Sequence, residues 1–234
     1  MRERKLFNGI RYILEDVVPP FLRDSFLFYG LMWLLYRDKT RYQSQFRENI
    51  PHLSDAEYQR YYETFPGLDS ETDCNQACLD LIVASVIGDS VLDVGCGRGF
   101  VANLIQSKRN IATTGTDFLI PESVPRRYPN CSFVSSKVEA LDFADNQFDT
   151  VVCTHTLEHI LDLPQALREL RRVAKKRLIL VVPREREYRY SFNLHVHFFP
   201  YTHSFLKHLS PLPDSYTCKV VDGDIFYIED APGA

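Results

Sequence analysis

The segment Val91-Leu92-Asp93-Val94-Gly95-Cys96-Gly97-Arg98-Gly99-Phe100 constrains this chain more than any other stretch. An apolar run carrying one acid passes into glycines at three alternate positions, where the missing Cβ atoms let main-chain N–H groups approach a ligand. Such a junction belongs to an α/β sheet, and the chain around it agrees. Short apolar runs at 91–94, 111–116, 132–134, 148–153 and 178–182 alternate with helical patterns, the clearest running from an Asp162 cap through Leu163, Leu167, Leu170 and Ala174. This alternation predicts a doubly wound, mostly parallel sheet with helices on both faces. Residues 216–229 read as two further strands about the turn Asp222-Gly223-Asp224. A capping box at Ser70-Glu71-Thr72-Asp73 predicts a helix start, with Gly88 as its stop, and Lys175-Lys176-Arg177 reads as a solvated helix end.

Residues 1–69 are a different kind of sequence, with helical segments broken by Pro19-Pro20, Pro51 and Pro66-Gly67, many aromatics and no strand alternation. They read as an N-terminal helical cap on a domain spanning 70–234. The longest apolar run, Phe26 to Tyr36, is eleven residues, short of the ~20 that a spanning helix needs. Residues 13–36 suit contact with a membrane surface, packing on the sheet domain or a homodimer interface. The six cysteines are scattered without a CxxC pattern and the N-terminus lacks the pattern of a secretory signal, which predicts reduced thiols and a cytoplasmic setting. Charge bears on partners: residues 163–210 hold ten Lys or Arg and three acids (+7), but the whole chain is at −4. With no polybasic run or separate RNA-binding module, nucleic acid is disfavoured as a partner.

Spacing narrows the ligand of the glycine loop. A dinucleotide fingerprint would want a glycine at Phe100, and a pyrophosphate would be repelled by Asp93; a P-loop would need Gly-Lys-Ser or Gly-Lys-Thr, which is absent. The pattern D-x-G-x-G-x-G resembles motif I of the class I S-adenosylmethionine-dependent methyltransferases, type 11-like, and the resemblance runs from about Ser70 to the C-terminus. It implies a Rossmann-like seven-stranded sheet that binds S-adenosyl-L-methionine and releases S-adenosyl-L-homocysteine. It further implies that Gly95, Cys96, Gly97 and Gly99 pack under the methionine part of the cofactor, with Asp93 near its ammonium. Asp117, closing the second strand with Phe118 beside it, corresponds to the acid that accepts both ribose hydroxyls. Val138 and Glu139 correspond to the adenine pocket, where Lys137 replaces the Asp that many relatives carry. Thr154 and His155, in the stretch Cys153 to His159, would face the methyl donor.

His155, Glu158 and His159 also match H-x-x-E-H, a zinc-hydrolase pattern that requires one continuous helix; here it follows a buried strand and precedes Pro164, so no metal is expected. The acceptor side is expected after the fifth strand, where Arg184, Arg186 and Tyr201 are candidate substrate contacts and His195 or His197 a general base, with His155 a third catalytic candidate. Arg184 and Arg186, interleaved with Glu185 and Glu187, suit either an anion clamp or a self-paired surface loop. The expected activity is O-methylation of a small molecule or a glycan or lipid-linked acceptor. The rival from another class is a regulatory module of the same fold that binds the cofactor without chemistry.

Overall fold

The computed structural model describes residues 13, 17–36, 46, 48–64, 71–187 and 193–231. The chain divides into two compact units, Met1–Asp69 with Glu185–Pro200, and Ser70–Arg184 with Tyr201–Ala234. Residues 185–200, expected within the 70–234 domain, fall in the first unit.

In the first unit, α1 (Pro20–Arg23) and α2 (Phe26–Tyr36) follow the proline pair, and Ser25 starts α2 by accepting from the Phe28 N–H at 3.1 Å. Helix α3 (Asp55–Thr64) opens on a capping box in which the Ser54 N–H donates to Glu57 at 2.9 Å. Phe46 is fully buried against the rings of Tyr58 and Tyr61, at centroid distances of 5.9 and 5.0 Å. Among the described residues no helix is long and apolar enough to cross a membrane.

The second unit holds α4 (Gln76–Ser85), β1 (Ser90–Val94), α5 (Phe100–Arg109), β2 (Ala112–Asp117), α6 (Ser123–Arg127), β3 (Ser132–Ser135), β4 (Phe148–Thr154), α7 (Leu163–Val173), β5 (Ala174–Pro183), α8 (Thr202–Leu206), β6 (Tyr216–Val221) and β7 (Asp224–Asp230). Its seven strands are ordered β3-β2-β1-β4-β5-β7-β6; the first five are parallel, and β7 runs antiparallel to both of its neighbours. The predicted doubly wound sheet is therefore present. Strand alternation separates two cores. Val91, Val152, Ile179, Val181 and Phe226 join Leu79 and Ile82 of α4 and Val101 and Ile105 of α5 in one cluster. Their chain neighbours Leu92, Val151, Leu178 and Leu180 are buried too, and α7, with Leu163, Leu167 and Leu170 buried, packs on β4 and β5.

Two local expectations are corrected. Helix α4 is capped by Asn75, whose Oδ1 accepts from the Cys78 N–H at 2.8 Å, rather than by a box at Ser70, a residue outside those described; the helix ends at Ser85, before Gly88. Lys175, Lys176 and Arg177 are the start of β5, not a helix end. Their charges find strand partners there: Lys176 Nζ lies 2.9 Å from Asp149 and Arg177 Nε donates to Asp230 at 2.7 Å. Asp162 caps α7 as expected, accepting from the Gln165 N–H at 3.0 Å.

Candidate functional site

The parallel strands β2, β1 and β4 lie side by side, so their carboxyl ends bring three separate motifs to one edge. From β1 the chain proceeds to β2 and β3 on one side and resumes with β4 on the other, a reversal of strand order that opens a crevice above the end of β1. The glycine loop is pinned there by main chain. The N–H groups of Gly95 and Cys96 both donate to the Thr116 carbonyl, at 2.8 and 3.0 Å, and Gly99 N–H donates to the Cys96 carbonyl at 2.8 Å. All three loop glycines have positive φ, at 72°, 49° and 76° for Gly95, Gly97 and Gly99. They differ in what a side chain would meet. A Cβ on Gly95 would stand 2.0 Å from Thr156 Oγ1, and one on Gly99 would stand 2.9 Å from Phe133 and Val124, whereas one on Gly97 would meet nothing within 4 Å. Gly97 thus faces open space on the loop, a place where a ligand can lie directly on main chain.

Two acids flank the loop. Asp93, at 1% exposure, is sealed beneath it, and neither carboxylate oxygen accepts a hydrogen bond among the described residues. Burial pushes its pKa up to about 7, with the Asp117 charge adding to the rise and the nearby Ala102 N–H opposing it. A buried acid left without a partner is costly unless a cation completes it. Asp117 Oδ2 accepts from the Gly97 N–H at 2.9 Å and Oδ1 from the Leu119 N–H at 3.4 Å, so this acid is tied to the loop it faces; burial nonetheless raises its pKa against these donors. It does not cap a helix, since α6 begins only at Ser123. The orphaned Asp93, the open main chain at Gly97 and the second acid fit a ligand with a cationic end and vicinal hydroxyls, as S-adenosylmethionine has.

Around these lie the remaining residues of the sequence reading that belong to the second unit. Cys96 is buried, and burial pushes its thiol far up, so it contributes packing and its main chain. Phe118 is exposed beside Asp117. Val138 is buried in the tight turn Lys137–Ala140, and the Glu139 carbonyl accepts from Gln165 Nε2 at 3.1 Å. Lys137 is exposed. Thr154 is buried at the end of β4, and its carbonyl accepts from Thr156 Oγ1 at 3.0 Å. His155 leaves the strand with φ 49°, its Nε2 3.2 Å from Asp224 Oδ2 and its Nδ1 3.5 Å from Glu158 Oε1. Only Leu157–His159 forms a single 3-10 turn, so His155 and His159 are not successive turns of one α-helix, and the arrangement an H-x-x-E-H zinc hydrolase requires is not formed. The Arg184 N–H donates to the Gly223 carbonyl at 3.1 Å, and Tyr201, exposed, stacks its ring on His203 with centroids 5.1 Å apart.

The first unit contains the two candidate histidines after β5, His195 and His197. Glu185, which sequence reading offered as half of a self-paired surface loop, is buried at 3% exposure and turned to the chain that follows it. Its Oε2 lies 2.6 Å from His195 Nδ1 and its Oε1 accepts from Asn193 Nδ2 at 2.6 Å. His197 stacks on Phe199 with centroids 6.3 Å apart. Arg186 is exposed; residues 188–192, which include Arg189, lie outside the described residues. The roles of Glu185 and Asp224 had no sequence signal: one is interleaved with arginines, the other sits in an ordinary Asp-Gly-Asp turn.

With this geometry in place, residues 92–182 match the methyltransferase domain family. A 2-phytyl-1,4-naphtoquinone methyltransferase of Trichormus variabilis is 36% identical over 100 residues, which are 38% of this chain and 43% of that protein. The mitochondrial arginine-hydroxylase NDUFAF5 of Rattus norvegicus is 31% identical over 87 residues, 36% of this chain and 25% of its own length. The matched part spans less than half the length of these curated relatives. Among solved structures, the PH0226 protein of Pyrococcus horikoshii aligns with a TM-score of 0.55 at 19% identity, covering 74% of this chain and 98% of that one, a likeness of fold.

Proposed function

We propose that this chain, whose residues 92–182 match a methyltransferase domain family, is a class I S-adenosylmethionine-dependent methyltransferase that transfers a methyl group to a hydroxyl oxygen of a small, lipid-like or lipid-linked acceptor. The observation that carries the reading is Asp93, a carboxylic acid buried without a partner directly beneath a loop of positive-φ glycines. Asp93 faces the cationic end of the cofactor, Gly95, Cys96, Gly97 and Gly99 present main chain to its methionine part, Asp117 receives the ribose hydroxyls, and Phe118, Val138 and Glu139 border the adenine. When bound, the cofactor supplies a methyl group on a positively charged sulfur. The chain's own task is then to hold the acceptor in line, exclude water and accept a proton.

For that proton His195 is the better candidate of the two histidines after β5. The Glu185 carboxylate is an acceptor only, so at 2.6 Å it draws the imidazole proton to Nδ1 and makes Nε2 the basic nitrogen of the ring. Asn193 holds the second carboxylate oxygen, which keeps Glu185 in place. Arg184, Arg186 and Tyr201 are assigned to acceptor contacts. An apolar acceptor is supported by Phe26, Leu27, Leu31, Trp33 and Leu34, all exposed on α2, a helix with no charged residue. Such a surface suits contact with a membrane through residues 13–36, and the relative that acts on a phytyl-bearing naphthoquinone points the same way. A second reading, cofactor binding without methyl transfer, draws on the relative over 87 residues that is named an arginine-hydroxylase.

The test is incubation of the full chain with methyl-labelled S-adenosylmethionine and lipid and aqueous extracts of its source cells. Label entering the lipid fraction, and falling at least tenfold with His195→Ala and with Glu185→Gln, is the expected result. Retention of S-adenosylhomocysteine with no label transferred to any fraction would replace the enzyme reading by the binding one.

A further inference from the structure

His155 is built into the second unit in a way that a proton-transferring residue is not. Its main-chain N–H still donates to the Val181 carbonyl at 2.9 Å, which keeps it in the β4–β5 ladder, while its left-handed φ of 49° turns the chain sharply away. Its ring lies between carboxylates from two other places in the fold: Asp224, the first residue of β7, at 3.2 Å from Nε2, and Glu158, in the turn after β4, at 3.5 Å from Nδ1. Both carboxylate side chains are almost wholly buried, at 4% and 1% exposure. Asp224 can only accept, so Nε2 carries a hydrogen, and with Nδ1 at ion-pair distance from Glu158 a neutral ring would turn a lone pair toward a second buried carboxylate. Burial opposes the imidazolium, but Asp224 and Glu158 outweigh it and hold the ring's pKa at about 10. Titratable groups that also bear on the cluster include Cys78 of α4, whose thiol the His155 charge helps to lower, Cys153 of β4, whose thiol the Glu158 charge helps to raise, and His159, whose Nε2 is 3.9 Å from Glu158.

The cluster reaches further. Asn75 Nδ2 donates to Asp224 at 2.8 Å while Asn75 Oδ1 caps α4, so one chain of polar contacts joins the start of a helix, the start of β7 and the turn after β4. The residue following His155 meets the cofactor loop: Thr156 occupies the volume a Cβ on Gly95 would need. Where the His155 turn sits therefore decides where the glycine loop rests.

We propose that His155 is a positioning residue, an imidazolium that cross-links Asp224 and Glu158 and so fixes Thr156 against Gly95, rather than a base in the reaction. The cofactor part of this assignment rests on the reading of the glycine loop given above; the charge state does not.

The charge state is read by long-range proton–nitrogen spectra of the full chain with nitrogen-labelled histidine, without cofactor, the His155 signals being identified by their loss in His155→Gln. Both ring nitrogens are expected to stay protonated from pH 6 to pH 9; a ring that loses a proton between pH 6 and pH 7 overturns the proposal. The positioning role is read by calorimetry: His155→Gln should weaken S-adenosylhomocysteine at least tenfold, and unchanged affinity in the folded variant overturns it. If His155→Gln does not fold, Asp224→Asn takes its place. It should lower the His155 titration midpoint by about one unit or more and also weaken the ligand, and failure of either effect counts against the proposal. Should the parent protein bind no S-adenosylhomocysteine at all, the function proposed above fails while the spectra still decide the state of His155.

Discussion

Replacing Asp93 by Asn removes a charge that the free protein has no means to stabilise. The carboxyl is 1% exposed with no hydrogen-bond partner among the described residues, and burial lifts its pKa from 3.8 to about 7. Between those values the unfolded chain is ionised and the folded one protonated, so folding takes up a proton. The resulting contribution to stability is complete below the unfolded pKa and disappears as the pH rises through the folded pKa near 7. A displacement of about three units, at about 1.4 kcal/mol per unit, sets a ceiling on the order of 4 kcal/mol. At roughly 2–4 °C per kcal/mol for a domain of this size, the ceiling corresponds to roughly 8–16 °C in Tm. Asn keeps the shape without the charge. Scanning calorimetry of the cofactor-free proteins should therefore find Asp93→Asn melting within a few degrees of the parent at pH 5 and well above it at pH 8.5. S-adenosylhomocysteine, whose ammonium selects the ionised carboxylate, should bind the parent more tightly as pH rises from 5.5 to 7.5, by up to tenfold per unit below the pKa, and the variant with no such trend. Parallel melting temperatures for the two proteins across pH 5 to 8.5 would refute the argument, because they would mean that Asp93 ionises at an ordinary pKa in the fold.

Other perturbations separate the parts of the site. Asp117→Ala removes a charged acceptor that also ties down Gly97, and calorimetry should show S-adenosylhomocysteine weakened by about 1.5–3 kcal/mol, roughly 10- to 150-fold. Gly95→Ala adds a methyl group 2.0 Å from Thr156 Oγ1 at a φ of 72°, so it should abolish ligand retention in equilibrium dialysis; a variant that binds normally would show that the loop is free to shift. Replacing Phe26, Leu27 and Trp33 together by Ser should prevent the chain from sedimenting with phosphatidylglycerol vesicles while leaving S-adenosylhomocysteine affinity unchanged. Equal sedimentation of variant and parent would remove α2 from membrane contact.

How much of this was readable in advance depends on the range of the interaction concerned. The glycine loop, Asp117 and the apolar periodicity of α7 are signals between residues a few positions apart, and β1, β4 and β7 lie close to where alternation placed them. Apart from the cap of α4, where Asn75 takes the place of the Ser70 box, the errors came where a residue's partner is far along the chain. Lys175 to Arg177 look like a helix end because nothing local shows that Asp149 and Asp230 wait beside the strand they begin. Glu185 looks like a surface charge because its arginine neighbours are adjacent and His195 is ten residues on.

His155 marks the boundary most clearly. Its neighbours in sequence suggested a metal ligand or a base, and both readings follow from residue type. What governs its chemistry is Asp224, 69 residues away, which reaches it only because β7 inserts antiparallel beside β5 and sets Asp224 opposite Pro183 at the end of that strand. Backbone freedom and apolar spacing are properties of a short peptide and survive in the amino-acid string. The protonation state of a buried ring is a sum over charges within a few ångströms, and that sum does not exist until the sheet has closed around it.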